Sequence, residues 1–286
     1  MAGTTWGQHK ETLVLTYKAL IDSSFSYAAP IWVPNASPSS IRRLQTIQNS
    51  ALRIATGCHL SSAVDHLHSE AKILKVQEHL DMICTQYLAT YLQPEHPSFP
   101  IVTADSGPRP MKHTLQSRYL PRLEELTGDA GLTGIGTIVD PVTTRKQVHT
   151  RAVENSIAAR QANQVLGAPA PDVAVEEEDL PRKTRRTLAQ LRSGECIALN
   201  SYKHKIGLTD SAVCPCCRNE EHTTQHIFRC PANETDFEPV DLWRRPVDVA
   251  DYLRTLPFMD LPARGRPPPE PPPNQEANAQ PEQVVG

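Results

Sequence analysis

Aromatic residues and long apolar runs are both scarce in this sequence. Trp, Tyr and Phe together make up 5% of the 286 residues, and no run of about 18 apolar residues, the length that crosses a bilayer, occurs. The first twenty residues carry His9, Lys10 and Glu11 before any apolar stretch, so they do not resemble a secretory signal peptide. We therefore expect an intracellular protein, nuclear or cytoplasmic and not secreted, that makes no contact with a membrane.

The sequence patterns of catalysis are missing as well. We find no paired carboxylates in an apolar setting, no nucleophile elbow and no two-metal aspartate pattern. The segment GLTGIG at 131–136 is rich in glycine, but it lacks the G-x-G-x-x-G order and a preceding strand that a phosphate loop requires. These absences argue against an enzyme and leave binding or structural functions open.

The clearest pattern in the sequence is the helical periodicity of its apolar residues. Apolar residues recur at helical spacing over 10–27, 38–56 and 74–92, with further helices predicted at 61–70, 112–126, 147–163, 181–192, 195–206 and 246–255. No segment reads clearly as a strand, so the predicted fold is mostly α. In the helix at 38–56, Ser37 is the expected N-cap and Gly57 the expected end. Its predicted buried residues are Ile41, Leu44, Ile47, Ala51 and Ile54.

Changes in composition divide the chain into four predicted parts. These are a helical bundle over 1–93, a connector over 94–180, a module of basic helix and zinc motif over 181–260, and a tail over 261–286. The connector ends in an extended linker, whose acidic run at 176–179 is expected to complement the N-terminal dipole of the helix at 181–192. The proline-rich tail is predicted to be disordered; its PPPEPPP segment fits a polyproline-binding partner, or it is merely a flexible terminus.

The cysteine pattern indicates a metal site. Seven cysteines are an odd number, and their clustering favours a reducing compartment and a metal over a disulfide framework. Cys214, Cys217, His226 and Cys230 follow the spacing C-x2-C-x8-H-x3-C. A Cys-Pro-x-Cys turn directs two thiolates inward, and residues four apart share one face of a helix. Four protein ligands without water predict a closed, structural Zn²⁺ site.

Two neighbouring side chains are alternative ligands. Cys216 lies between the first two cysteines and is able to replace one of them, or to point away. His222 competes with His226, although its spacing to Cys230 suits a helix less well. Glu220 and Glu221 are interpreted as turn residues.

Positive charge is concentrated around this motif, although the net charge of the chain is only −3. Residues 181–230 hold nine Lys or Arg and four Asp or Glu, whereas 233–286 hold five and ten. A basic block of this kind is typical of a nucleic-acid partner. The side chains expected to contact phosphates are Arg182, Lys183, Arg185, Arg186, Arg192, Arg218 and Arg229.

Two blocks of sequence resemble one known family. The N-terminal block AGTTWGQHKETLVLTYKALIDSSFSYAAPIWVPNASPSSIRRLQTIQNSALRIATGC resembles the thumb-side segment of reverse transcriptases from jockey-like non-LTR retrotransposons. The block LPRKTRRTLAQLRSGECIALNSYKHKIG, followed by CPCC and TQHIFRCP, resembles the end of the same polyproteins, where a basic helix precedes a CCHC motif. The resemblance covers most of residues 1–255, in the family's order.

The resemblance mainly implies binding functions and not catalysis. The family's polymerase chemistry lies in a palm whose aspartates, in a short F/Y-A-D-D turn, bind two metal ions, and that tetrapeptide is missing here. The apurinic-type endonuclease of the family is also missing. The chain thus looks like the last part of such a transposable element: thumb, connector, zinc module and tail. The resemblance implies that the thumb helices grip a template–primer duplex and that the zinc module binds element RNA or target DNA.

Three functional hypotheses follow. The first is a non-catalytic reverse transcriptase fragment that binds RNA or DNA through its basic zinc module and thumb helices. The second is a zinc-stapled structural or protein-interaction fragment that does not bind nucleic acid. The third, an active polymerase, is disfavoured because the palm aspartates are missing.

Overall fold

The computed structural model describes residues 8–93, 95–100, 114–128 and 140–263, and these form helices and connecting turns. Over these ranges there is no named strand, and one isolated antiparallel bridge joins Val213 to Glu221. The prediction of a mostly α fold is therefore confirmed. No helix in the described ranges is both long and apolar enough to cross a membrane. The predicted disordered tail and its PPPEPPP segment lie outside the described residues, except for 261–263.

The helices are numbered along the chain. They are α1 (Lys10–Tyr17), α2 (Ser23–Ser26), α3 (Ala29–Trp32), α4 (Pro38–Thr56), α5 (Val64–Ala71), α6 (Val76–Tyr91), α7 (Leu115–Thr127), α8 (Pro141–Ala158), α9 (Arg182–Arg192), α10 (Asn200–Lys205), α11 (Thr224–Ile227), α12 (Asp241–Arg244) and α13 (Pro246–Thr255). A π-helical turn, Lys18–Asp22, joins α1 to α2, and 3₁₀ turns lie at Val33–Asn35 and Val175–Asp179.

Helix α4 has the ends that the sequence predicts but a different buried face. The Ser37 hydroxyl accepts the Ser40 N–H at 3.1 Å, and Gly57 ends the helix with a φ of 77°, which favours glycine. Ile47 and Ile54, predicted to be buried, are 47% and 60% exposed. Ile41 is buried as predicted, and the other buried residues of the helix are Gln48, Leu52, Ala55 and Thr56.

A polar contact explains this rotation of α4. The Gln48 amide donates to the Tyr17 hydroxyl at 3.0 Å and to the Leu74 carbonyl at 3.1 Å. Because its amide finds partners inside the protein, Gln48 can be buried without the cost of an unpaired polar group. Hydrophobic periodicity, which places a glutamine on the outer face, does not anticipate this arrangement.

The first hydrophobic core surrounds α6, which packs against α3, α4, α7 and α8. Leu80 and Leu88 of α6 are fully buried there beside Leu123 of α7 and Val148 of α8. Helix α8 begins at Pro141, earlier than the predicted 147, because the Asp140 carboxylate caps it by accepting the backbone N–H of Val142. The packing of α7 and α8 on α6 crosses the predicted domain boundary at 93/94.

The second core contains the C-terminal helices and the segment before α9. Leu188 and Leu191 of α9 are buried against Trp243 and Leu253. The predicted linker is part of this core, because Leu180 is buried in it and the Ala174 N–H donates to the Trp243 carbonyl at 2.9 Å. The prediction of a second helix over 195–206 is correct only for Asn200–Lys205. Packing in this core crosses the other predicted boundary, at 180/181.

A buried ion cluster joins helices α1 and α5 to the second core. The Arg192 guanidinium at the end of α9 is fully buried and pairs with Glu70 of α5, at 3.1 Å, and with Glu177. Its Nε also donates to the Leu242 carbonyl at 3.0 Å. Lys10 of α1 lies 3.9 Å from the Glu70 carboxylate and 3.7 Å from that of Glu177. Five segments that are far apart in sequence thus meet at one guanidinium.

This cluster corrects the prediction for the acidic run at 176–179. Glu177 is buried and pairs with Arg192, at the opposite end of α9 from the N-terminal dipole that the run was expected to complement. Burial alone would raise the pKa of Glu70, but Arg192 beside it lowers that pKa to about 2, so the carboxylate stays charged. An ion pair that is buried away from water is stable only when hydrogen bonds satisfy both partners.

Candidate metal centre and basic residues

The four predicted metal ligands come together in space. The ligand atoms of Cys214, Cys217, His226 and Cys230 all lie within 4.8 Å of one another. The Sγ atoms of Cys214 and Cys230 are 3.8 Å apart, and the Cys217 Sγ lies 3.3 Å from Nε2 of His226. This arrangement is compatible with one bound metal ion held by three sulfurs and one imidazole nitrogen.

A tight turn positions the first two cysteines. The Cys214 N–H donates to the Glu220 carbonyl at 2.8 Å, and the Arg218 N–H donates to the Cys214 carbonyl at 3.0 Å. Arg218 has a φ of 57°, a left-handed conformation that lets the chain reverse just after Cys217. The bridge between Val213 and Glu221 closes the base of this turn. These backbone contacts therefore position the segment that carries the Cys214 and Cys217 sulfurs without a bound metal.

Short helix α11 carries His226, whereas Cys230 follows three residues after the helix ends at Ile227, so the prediction that both residues share one helix is wrong. The Thr223 hydroxyl caps α11 by accepting the His226 N–H at 3.2 Å. The Thr224 hydroxyl donates to the Leu191 carbonyl at 2.9 Å, and the Tyr252 hydroxyl donates to the Ile227 carbonyl at 3.2 Å. These bonds attach the ligand-bearing segment to α9 and α13, so the cluster is part of the second core.

The electrostatics of the two cysteines in the turn differ. Backbone N–H groups, first that of Asn219 and then that of Glu220, lower the pKa of Cys217 to about 6. Burial raises the pKa of Cys214 to about 11. Cys217 is thus a thiolate near neutral pH, the form that binds metals, whereas Cys214 needs the positive charge of a metal to lose its proton.

Glu220 has a role that the sequence did not reveal. Its carboxylate lies 3.0 Å from Nδ1 of His226, while Nε2 of the same ring faces the sulfur cluster. A carboxylate that accepts the second ring N–H fixes the tautomer and the orientation of a ligating histidine. Glu220 is a turn residue, as interpreted, because its carbonyl accepts the Cys214 N–H, and its carboxylate makes this second contact as well. The signal in the sequence was an acidic residue six positions before the histidine.

The structure separates the two alternative ligands from the cluster. His222 is fully buried, its Nδ1 accepts the Asn200 N–H at 3.1 Å, and its ring meets Phe258 edge-on with centroids 4.4 Å apart. Burial lowers the pKa of His222 to about 4, so the ring is neutral. Cys216 is half-buried and lies outside the four-residue cluster.

Most basic residues of α9 make contacts with other segments of the protein. Arg182 donates to the backbone carbonyls of Gln8 and Ile54, and Arg186 donates to the Gly57 carbonyl. Gly57 is required here, because a Cβ atom would come within 2.3 Å of the Arg186 side chain. The inward face of α9 thus docks on the N-terminal helices.

Two members of the predicted phosphate-binding set are corrected. Arg192 is fully buried in the ion cluster, and Arg185 is 5% exposed and pairs with Glu11, so neither presents a free guanidinium to a partner. Lys183 lies at the surface and pairs with Asp260. Only two of the predicted residues, both beside the metal ligands, have side chains that are fully at the surface: Arg218 and Arg229.

The site is therefore a compact cluster of three cysteines and one histidine, compatible with a bound metal, with the Glu220 carboxylate beside the histidine. In comparisons with known proteins, no family model, no curated protein and no solved structure matches this chain.

Proposed function

We propose that this protein is a non-catalytic, zinc-stapled nucleic-acid-binding protein related to the C-terminal part of jockey-like non-LTR reverse transcriptases. The observation that carries the proposal is the cluster of Cys214, Cys217, His226 and Cys230, which supplies four protein ligands and leaves no position for a substrate. Closed sites of this kind stabilise a fold, and catalytic sites keep one position open. Its thiols need a reducing compartment, either nuclear or cytoplasmic.

Zinc is the metal that the donors fit best. Three thiolates and one imidazole form a soft, compact set, and a tetrahedral arrangement of such donors is typical of structural Zn²⁺. The ion would be held by those four side chains and would supply a cross-link between the cysteine turn and α11. Glu220 supports this assignment because it orients the His226 ring.

Replacing Glu220 by Gln should weaken zinc binding by about 10- to 100-fold, because the ring of His226 loses its charged acceptor. A competition titration of the full chain with a chromogenic chelator measures the change. Glu221→Gln is the matched control, since Glu221 is exposed and its side chain makes none of the contacts described for the cluster. Equal affinities of the two variants would remove the orienting role from Glu220.

Nucleic-acid binding is the functional part of the proposal. It is supported by the resemblance of the two sequence blocks and by Arg218 and Arg229, which are exposed beside the cluster. Element RNA and target DNA are the proposed partners, and no F/Y-A-D-D tetrapeptide occurs in the sequence to support polymerisation. Phosphate contacts release counterions, so affinity must fall steeply as salt concentration rises.

A fluorescence anisotropy titration of the zinc-loaded full chain tests this function. Labelled single-stranded RNA and duplex DNA are titrated between about 50 and 200 mM salt, and we expect binding at low salt that weakens log-linearly. A chain that carries zinc but binds neither probe at the lowest salt would refute the nucleic-acid function.

A purely structural role is the second candidate, and one observation favours it. Arg182, Arg186 and Arg192 of α9 donate to carbonyls and carboxylates of other segments, and residues 200–230 hold four Lys or Arg against three Asp or Glu. The module itself is therefore close to neutral. In this case zinc would staple the C-terminal core and a protein partner would replace the nucleic acid.

A further inference from the structure

A groove of about 530 Å³ lies between α6 and α8, away from the metal cluster. Its walls are formed by Gln86, Val142, Arg145, Lys146, His149 and Thr150. The sequence analysis assigned no function to these residues. The packing of α8 in the first core does not account for this groove.

The charge of this groove is of one sign. Arg145 and Lys146 are exposed on adjacent positions of α8, and His149 follows within one turn on the same side. No carboxylate is among the lining residues. The nearest acidic residue at the start of α8, Asp140, is engaged by the helix end, because its carboxylate accepts the N–H groups of Val142 and Thr143.

Neighbouring basic residues behave differently. One turn further along α8, Arg151 lies 3.3 Å from the carboxylate of Glu154, so its charge has a local partner. In the part of the chain that the structure describes, no ion pair is formed by Arg145 or Lys146. The pKa of Asp140 is lowered mainly by its hydrogen bonds with Thr143 and Val142 and least by the charge of Lys146, so the positive charge of the groove is only partly balanced.

The groove is also rigidly built. Gln86 of α6 donates its amide N–H to the Arg145 carbonyl at 2.9 Å, which ties the two walls together. On the opposite side of α8, Val148 and Ala152 are buried in the first core. A helix fixed by its inner face and by one cross-link holds the backbone positions of its outer basic residues without a ligand.

We propose that the α6–α8 groove binds the phosphate backbone of a nucleic acid, with Arg145 and Lys146 as the phosphate ligands. This inference rests on the proposed nucleic-acid function and gives it a location other than α9. Backbone phosphates are recognised by cationic side chains along a concave surface, independently of sequence. A membrane surface fits less well, because the only large apolar side chain among the lining residues is Val142, and interfacial helices need a broad apolar face.

The test compares three double variants of the zinc-loaded full chain in the same anisotropy titration. Arg145→Ala/Lys146→Ala removes two charges from the groove, and Arg218→Ala/Arg229→Ala removes two beside the metal. Arg244→Ala/Arg245→Ala is the control with the same change in net charge, because these two residues are exposed at the surface of the second core. Circular dichroism and zinc content of each variant confirm that it is folded.

We expect the groove variant to bind more weakly and to lose about two from the slope of log affinity against log salt, since about one is lost per phosphate contact. The control should keep the wild-type slope. A groove variant with wild-type affinity and slope would overturn the groove inference and leave the proposed function standing if the wild type binds. Equal losses in the groove variant and the control would overturn it too, because net charge alone would then explain binding. A wild-type chain that does not bind would overturn both.

Discussion

Replacing Cys217 by Ser should reduce bound zinc well below the expected level of about one ion per chain and unfold the segment around 210–232. The physical reason is that metal binding and folding are one process in such modules, with apparent binding free energies of about 10–16 kcal/mol. Cys217 contributes the thiolate with the lowered pKa, and its Sγ lies 3.3 Å from Nε2 of His226.

The neighbouring cysteine provides the matched control. Cys216 is half-buried, lies one residue away and is outside the cluster, so Cys216→Ser should keep full zinc content and a folded module. Metal analysis of the dialysed protein gives the stoichiometry, and limited proteolysis reports folding of 210–232. Full zinc in Cys217→Ser together with loss in Cys216→Ser would transfer the ligand role to Cys216.

Replacing Arg192 by Ala should cost about 3–5 kcal/mol of stability, the largest effect we expect from a residue outside the metal site. The guanidinium is the centre of the cluster that joins α1 and α5 to the second core. Its loss leaves the carboxylates of Glu70 and Glu177 buried, with Lys10 3.9 and 3.7 Å from them and His66 3.9 Å from Glu70. Two buried charges that have lost their partner are more costly than the lost attraction itself.

Urea unfolding followed by circular dichroism measures this effect. Arg151→Ala is the control, because the Arg151–Glu154 pair is exposed and such pairs contribute about 0–1 kcal/mol. Glu177→Gln is a milder second variant in case Arg192→Ala does not fold, and it should also lower the unfolding midpoint. Midpoints of Arg192→Ala and Arg151→Ala that agree would show that the cluster does not stabilise the fold.

The cluster should also make stability depend on acid pH. The folded pKa of Glu70, about 2, lies below its ordinary value of 4.5. Its pairing therefore stabilises the protein fully above about pH 4.5, and this stabilisation is lost as pH falls towards 2. The wild-type protein should lose more stability over that range than Glu70→Gln, which has no proton to take up at this position.

These predictions change the interpretation of α9. As a sequence, RKTRRTLAQLR looks like a basic surface for phosphates. In the structure the guanidinium groups of Arg182, Arg186 and Arg192 donate to carbonyls and carboxylates of other segments. Arginine suits this use because its planar, permanently charged fork makes several hydrogen bonds at once. The positive charges that we propose for a partner lie elsewhere, on α8 and beside the Cys/His cluster.

Local signals in the sequence were sufficient for most helix bounds. Ser37, Pro38 and Gly57 mark the ends of α4 because capping depends on side chains within a few residues of the helix end. Which face of α4 is buried depends on distant partners instead. Gln48 is inside and Ile47 outside because the Tyr17 hydroxyl and the Leu74 carbonyl receive the Gln48 amide.

The sequence by itself was sufficient to predict which four side chains come together, since their spacing of two, eight and three residues keeps the whole cluster within one short segment. Only the tertiary structure decided that Glu220 orients His226, that Cys216 and His222 stand outside the cluster, and that Arg192 is buried. The difference is physical: ligand spacing is a local property of the chain, whereas the partner of a charged side chain depends on which segments the folding of the two cores brings together.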